Sequence, residues 1–249
     1  MVNIKDIKKQ ALDAYKFDIG RNAGVEFIAF IVKFALLFTL ATIYIICLAK
    51  AGSVSVSFPV LLIFIAAYIL IYLFVIAPIN LGRNYYFARV AAKTQPQTDE
   101  MFHFYKNIKP AVWAYFRIAI AVVFYTVLFI AIAIVYFRGY SLFSSNWFSF
   151  LNFLVCTTIV VLYALSITVT RLKYSLLPVV YLKFSSSNAL PFVAKTLRYS
   201  KGVKTDLFML MLSFAGWYIL GILSLGIGFI WINPYIRIAS KIYLNEHIK

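Results

Sequence analysis

Five uninterrupted apolar runs constrain this chain more than any other feature of its sequence. They cover residues 25–48, 56–79, 112–137, 147–170 and 207–223, and the last run can be extended to Trp231. A helix that crosses the hydrocarbon core of a bilayer needs about 20 such residues. Because 63% of the residues are hydrophobic and only 13% are charged, a soluble fold would lack the polar surface that faces water. The sequence therefore predicts an all-α, polytopic membrane protein.

The basic residues are distributed unevenly between the segments that connect these runs. Five lysines and arginines precede residue 25, five lie in segment 80–111 and seven in segment 171–206, whereas segments 49–55 and 138–146 hold one each. Lysine and arginine accumulate on the cytoplasmic side of membrane proteins. We therefore expect the N-terminus and both long segments in the cytoplasm. The net charge of +16 then indicates anionic lipid headgroups as the partner, and no nucleic acid.

This orientation divides a single membrane domain, residues 1–249, into alternating parts. Residues 1–24 are expected to form a cytoplasmic amphipathic helix, 25–79 a first hairpin, 80–111 a cytoplasmic loop and 112–170 a second hairpin. Residues 171–206 form a cytoplasmic amphipathic segment, and 207–249 a third hairpin with the tail. The third hairpin depends on an external turn at 224–228, which contains Gly226 and Gly228. About six transmembrane helices result, or five if these glycines bend one helix that ends outside.

Each hairpin follows a basic, amphipathic stretch. In the first, Ile4, Ile7, Ala11, Ala14 and Tyr15 share one helical face. In the second, Thr98 can cap a short helix. In the third, Asn188 can cap a helix and Gly202 can end it. Its basic residues are candidate contacts to anionic lipid: Lys195, Arg198, Lys201 and Lys204. The apolar segment 174–182 is too short to span, and it either continues the fourth helix beyond a kink at Pro178 or lies along the interface.

Four polar residues inside the predicted spans form a candidate intramembrane site. Arg237 lies deep in the returning helix, with Asn233 one turn before it. Such residues usually face the bundle interior, where Arg237 can mark a pathway or bond helix-end carbonyls. Lys33 lies near enough to its cytoplasmic end to snorkel. Glu26 can pair with a basic residue or remain an exposed charge at the helix end.

The tail contains motifs that resemble a known family. They are YSLLP, a basic amphipathic helix, SFAGW, LGIG and the pair PY, at residues 174–178, 189–202, 213–217, 225–228 and 234–235. These motifs are similar to the C-terminal half of a bacterial integral membrane family known as domain of unknown function number 975. Arg237 departs from the family, which often has an uncharged polar residue there. The resemblance implies a multi-pass protein of the bacterial plasma membrane, and it implies no established activity.

The side chains that enzymes need are missing from the predicted membrane interior. The eight acidic residues fall in cytoplasmic segments or at cytoplasmic helix ends, and His103 and His247 lie far apart in the sequence. Metal-binding motifs are absent, so the sequence predicts no metal or cofactor. We expect a non-enzymatic protein that binds lipid, a partner membrane protein or a second copy of itself, in assembly, regulation or envelope homeostasis. The alternative is a small transporter or channel-forming subunit with a polar path near Arg237.

Overall fold

Helices form all the regular structure in the described part of the chain. The computed structural model describes residues 3–51, 54–140, 147–184, 189–200 and 202–247. The α-helices are α1 (Ile4–Phe17), α2 (Ile19–Ala51), α3 (Val54–Ile71), α4 (Ala77–Ala91), α5 (His103–Lys106), α6 (Lys109–Tyr140), α7 (Trp147–Tyr174), α8 (Leu177–Phe184), α9 (Ala189–Tyr199), α10 (Lys204–Leu212), α11 (Ala215–Leu223) and α12 (Phe229–His247). A π-helical turn, Tyr72–Ile76, joins α3 to α4, and a 3₁₀ helix, Thr98–Phe102, precedes α5.

Three of the described helices are long and apolar enough to cross a membrane. They are Ile19–Cys47, Ile63–Ala91 and Lys109–Ile132, and α10 with α11 adds a fourth if this pair is one bent span. The described apolar part of α7, Val155–Thr170, is shorter than a span. α2, α6 and α7 expose large apolar side chains such as Phe34, Phe124 and Val160. The fold thus agrees with the class of membrane protein that the sequence predicts, but the prediction of six spans is not confirmed.

α1 is the amphipathic helix that the sequence predicts. Its buried face contains Ile7, Ala11 and Tyr15, and it packs mainly against α12. The helix ends at Phe17, and the Asp18 carboxylate accepts a hydrogen bond of 2.9 Å from the backbone N–H of Arg21. A side chain in this position caps the start of a helix. α2 therefore begins at Ile19, six residues before the expected boundary.

The second apolar helix continues far beyond residue 79, where a loop was expected. α4 extends it to Ala91 because its residues, Tyr86 and Phe87 among them, pack into the protein core. The following segment then folds back along α4, and the Tyr105 hydroxyl donates a hydrogen bond of 2.8 Å to the carbonyl of Val75. Thr98 is the first residue of the 3₁₀ helix, and no side-chain cap forms there.

The C-terminal segment turns back on itself. Leu225 and Gly226 have φ values of 52° and 87° in the turn at 224–228, and α12 then runs antiparallel to α10 and α11. The Tyr243 hydroxyl donates to Asp206 Oδ2 at 3.0 Å near one end, and the Phe214 and Tyr235 rings are 5.1 Å apart near the middle. α10 and α11 meet at an angle of 47°. α12 is buried along most of its length, so it is a central helix of the bundle.

Segment 171–206 adds two helices to the same core. α7 continues to Tyr174, and the next helix, α8, buries Leu177, Pro178 and Val179. Pro178 is the second residue of α8, where a proline is tolerated because no N–H bond is lost. This apolar segment is thus a separate core helix. Gly202 follows α9 with a φ of 91°, a left-handed conformation that favours glycine. Asn188 lies outside the described residues.

Gly82 provides a test of how tightly α4 packs. A Cβ atom there would overlap the backbone carbonyl of Met101, which belongs to the 3₁₀ helix, whereas a Cβ at Gly24 in α2 would meet nothing within 4 Å. Overpacking of this kind costs about 1–3 kcal/mol. We expect Gly82→Ala to lower the thermal unfolding midpoint of the purified protein and Gly24→Ala to leave it unchanged or raise it. Equal midpoints for the two variants would contradict the contact between α4 and the 3₁₀ helix.

Candidate functional site

A single buried carboxylate joins three helices that are distant in sequence. Arg83 of α4 donates from Nη1 to Glu26 Oε1 of α2 at 2.9 Å. From α12, Arg237 Nε lies 3.3 Å from Glu26 Oε2, and Asn233 donates to Oε1 at 3.3 Å. Buried charges are stable only when they are paired and hydrogen-bonded. Glu26 is therefore the common counter-ion of two arginines.

Helical periodicity explains why these side chains meet. On α2, Asn22, Glu26 and Ala29 are buried on one face. On α12, Asn233 and Arg237 are four residues apart and so project from the same side of the helix. Polar residues thus occupy the faces of α2 and α12 that point toward each other.

Two asparagines of α4 hold the arginine heads in place. Asn80 Oδ1 accepts a hydrogen bond of 3.1 Å from Arg83 Nη2. Asn84 Oδ1 accepts one of 3.0 Å from Arg237 Nη1, and its amide nitrogen donates to the Asn80 carbonyl at 2.8 Å. These amides fix the orientation of both guanidinium groups without neutralising them.

A cavity of about 580 Å³ lies beside this cluster, between α2, α4, α6, α7, α8 and α12. Among the described side chains, four basic ones line it: Lys33, Arg83, Arg237 and Lys241. Lys241 is 2% exposed, and its ammonium group donates to the carbonyl of Ser175. Glu26 is the one carboxylate that pairs with these cations in the described part of the chain. The cavity therefore contains an excess of positive charge.

The structure brings together all four residues of the predicted intramembrane site. Glu26 is a buried partner of arginines and not an exposed charge at a helix end. Arg237 bonds Glu26 and Asn84 and not helix-end carbonyls. Lys33 faces the cavity, and within the described residues it has no hydrogen bond and no ion pair.

Sequence reasoning missed Arg83 and Lys241. Arg83 was assigned to a cytoplasmic loop, although it follows the apolar residue Ile79 by four positions and so continues the same helical face. Lys241 falls in the segment that the sequence assigns to the third hairpin and the tail, and it lies one turn after Arg237. The spacing of four residues was the signal that could have found both.

The candidate lipid contacts form a separate surface. Lys195 and Arg198 are exposed on α9, and Lys195 Nζ lies 3.2 Å from the centre of the Phe184 ring. Lys204 is half-buried at the start of α10, and Lys201 lies outside the described residues. None of these residues lines the central cavity among the described residues. The chain thus has two separate basic features, one internal and one on the surface.

The two histidines have different neighbours. His103 stacks on Tyr85 with ring centres 5.0 Å apart, and burial lowers its pKa below the ordinary value. His247 contacts Tyr243 at the end of α12, with ring centres 4.2 Å apart. Among the described residues, no group of three histidine, cysteine, aspartate or glutamate side chains could hold a metal ion.

Comparison with known families identifies the chain. One family matches residues 1–248, almost the entire sequence, and its description is "Protein of unknown function (DUF975)". The chain belongs to this family. The resemblance inferred from the sequence motifs is thereby confirmed. No curated protein and no solved structure matches the chain.

The Glu26 cluster of this DUF975 protein predicts an order of stabilities. Glu26→Gln would leave Arg83 and Arg237 buried without a counter-ion, and breaking a buried ion pair in this way costs about 3–5 kcal/mol. Arg237→Gln should cost less, because the pair between Arg83 and Glu26 remains. The exposed residue Asp13 supplies the control, Asp13→Asn. Thermal unfolding in one detergent compares the variants, and a Glu26→Gln midpoint equal to that of Asp13→Asn would disprove the role of the cluster.

Proposed function

We propose that this protein is a non-enzymatic, multi-pass protein of the bacterial cell membrane that binds anionic lipid. The observation that carries the proposal is the central cavity, which is lined by Lys33, Lys241 and the two arginines that share Glu26 as their counter-ion. A basic cavity between transmembrane helices is a known way to bind lipid headgroups. The exposed basic face of α9 supports the same function, because it can lie against an anionic membrane surface.

The proposed orientation has the N-terminus in the cytoplasm. α2, α3, α6 and α7 cross the membrane, so that the basic segments before α2, between α4 and α6, and after α7 all lie on the cytoplasmic side. The fold supports this arrangement because α1, α4, α8 and α12 form a compact core near the same ends of the apolar helices. The buried residues concentrate there, while the apolar helices remain exposed elsewhere.

The C-terminal hairpin is better explained as a re-entrant segment than as the fifth and sixth spans. The Lys8 ammonium group of α1 donates to the Ser213 carbonyl at 2.7 Å, and Tyr235 donates to the Lys8 carbonyl at 3.2 Å. α1 carries several lysines, so these contacts lie near the cytoplasmic face in the proposed orientation. α11 has nine residues and so reaches about 14 Å from this point. That is about half of a hydrocarbon core of about 30 Å.

The tip of this hairpin has the surface that a segment inside the bilayer requires. Leu223, Leu225 and Ile227 are all highly exposed, Leu225 to 93%. Both the re-entrant arrangement and the six-span arrangement return the tail to the cytoplasm. They differ in the position of the turn, which is within the bilayer in the first and outside the cell in the second.

A small transporter or channel-forming subunit is the second candidate function. The same cavity favours it, because Arg237 and Asn233 face an internal space between helices that we assign to the membrane. A transported anion would exchange rapidly across the bilayer, whereas a bound lipid would remain with the purified protein. Flux of radiolabelled phosphate into proteoliposomes therefore separates the two candidates.

The position of the turn can be tested by labelling in intact cells. Replacing Cys47 and Cys156 gives a cysteine-free background into which single cysteines are placed at Leu225, Ser144 and Thr94. We expect an impermeant thiol reagent to label Ser144→Cys from outside, and to label neither Thr94→Cys nor Leu225→Cys. Labelling of Leu225→Cys from outside would support six spans instead. Labelling of Thr94→Cys would overturn the orientation itself.

Lipid binding can be tested on the purified protein. We expect native mass spectrometry to show that the wild type retains phosphatidylglycerol in preference to phosphatidylethanolamine when both are offered at equal concentration. The part of this preference that the exposed face of α9 provides should fall at high salt and the part that the cavity provides should remain, since screening weakens contacts to exposed charges most. Equal retention of the two lipids at low salt would contradict the proposed function.

A further inference from the structure

We infer that the central cavity binds one phosphate group, which belongs to a lipid headgroup or is free inorganic phosphate. This inference rests on the proposed function and names the chemical group that the site recognises. Three observations support it: unneutralised buried cations, donors held in fixed positions, and apolar side chains in the same lining. Each is independent of the exposed basic residues on α9.

The cavity contains cations that no carboxylate in the described part of the chain neutralises. Lys241 is almost completely buried, and its partner is a neutral carbonyl, that of Ser175. A carbonyl accepts a hydrogen bond but does not offset a full charge, and a buried unpaired charge is unfavourable. Lys33 has no direct partner in the described part of the chain, although it lines the same space. An anion in the cavity would neutralise both.

Arg83 supplies a further donor that is unused. The residue is 8% exposed, and its Nε atom is buried with no hydrogen-bond partner among the described residues. Its two other nitrogens are held by Glu26 and Asn80, so the guanidinium plane cannot rotate freely. A buried donor without a partner is destabilising, typically by about 1–3 kcal/mol. A ligand oxygen would remove this penalty.

Phosphate fits this set of donors better than a carboxylate does. Its oxygens point in several directions and can accept bonds from lysine and arginine groups on α2, α4 and α12 at once. Arginine forks and lysine ammonium groups are the usual phosphate ligands in proteins. Free phosphate carries up to two negative charges and would balance Lys33 and Lys241 together, whereas the phosphodiester of phosphatidylglycerol carries one and would offset part of their charge. The Glu26 carboxylate meanwhile keeps Arg83 and Arg237 oriented.

The apolar part of the cavity lining suits a lipid. It is formed by side chains such as Ile118 of α6, Leu172 of α7 and Leu177 of α8. A volume of about 580 Å³ lies within the usual range of small-molecule sites, about 300–1,000 Å³. A phosphate on the basic side and glycerol carbons on the apolar side would use both halves. Free phosphate would use only the basic half, which allows experiment to separate the two sources.

The test uses the purified full-length protein in an uncharged detergent. Thermal unfolding midpoints are measured at increasing concentrations of dioctanoyl phosphatidylglycerol, with dioctanoylglycerol, which has the same chains without phosphate, as its control. They are also measured at increasing concentrations of sodium phosphate, with sodium chloride at equal ionic strength as the control. Lys241→Met and Lys33→Met remove cavity cations and leave the ion pairs of Glu26 intact. Lys106→Met, which replaces an exposed lysine of α5, is the matched control, and Lys195→Met reports on the exposed face of α9.

We expect phosphatidylglycerol to raise the wild-type midpoint and dioctanoylglycerol to leave it unchanged. Each cavity variant should bind about tenfold more weakly or worse, as for loss of one charged hydrogen bond. Lys106→Met should bind like the wild type, and Lys195→Met should weaken binding less than the cavity variants do. Without ligand, Lys241→Met should be at least as stable as the wild type, because it removes an unneutralised charge. A purely structural lysine would instead give a lower midpoint. If sodium phosphate raises the unfolding midpoint as much as the lipid does, the ligand of the cavity is free phosphate.

The outcomes separate failure of this inference from failure of the proposed function. Phosphatidylglycerol could stabilise the wild type and both cavity variants equally, with only Lys195→Met losing the effect. The cavity would then not be the phosphate-binding site, but the proposed binding of anionic lipid would still hold. If sodium phosphate alone stabilises the wild type and the cavity variants lose this effect, the cavity is a phosphate-binding site and the proposed lipid binding is wrong. If neither compound stabilises the wild type, both are wrong.

Discussion

The contact of Glu26 with Arg83 and Arg237 is the interaction on which the arrangement of helices depends. It joins α2, α4 and α12, which no local sequence signal connects. Burying a carboxylate and two guanidinium groups is unfavourable unless the geometry is good, and here three asparagine side chains complete the hydrogen bonds. Because each ion needs the others, the three helices can pack in few alternative registers. The cluster therefore contributes to the uniqueness of the fold as well as to its stability.

The position of α12 follows from this cluster. α12 carries Arg237 and Lys241 and is shielded on several sides by α1, α2, α4 and α10. A helix with these charges could not face lipid, and it can exist inside the bundle only because its neighbours supply partners. Apolar residues are correspondingly abundant on the outer helices, whose exposed surfaces need a lipid environment. The division between inner and outer helices thus matches the division between charged and apolar sequence.

Much of this architecture could be predicted from the sequence because it depends on local patterns. The apolar runs, the buried face of α1 around Ile7 and Ala11, and the turn at Gly226 are features of short segments. Glu26, Asn233 and Arg237 could be singled out because charged residues are rare in apolar runs. The rest depends on contacts between distant segments. The extension of α4 to Ala91 and the burial of Leu177 follow from packing, and the pairing of Arg83 with Glu26 spans 57 positions.

The π-helical turn at Tyr72–Ile76 determines the rotational phase between α3 and α4. The backbone N–H of Ala77 bonds to the Tyr72 carbonyl, five residues earlier, so this turn contains one residue more than an α-helix would. One residue corresponds to about 100° of rotation. Without that extra residue, the face of α4 that carries Asn80, Arg83 and Asn84 would turn away from α2 and α12. A single added residue, one to two helical turns before these polar side chains, thus aligns the inner face of α4 with its neighbours and leaves the orientation of α3 independent of it.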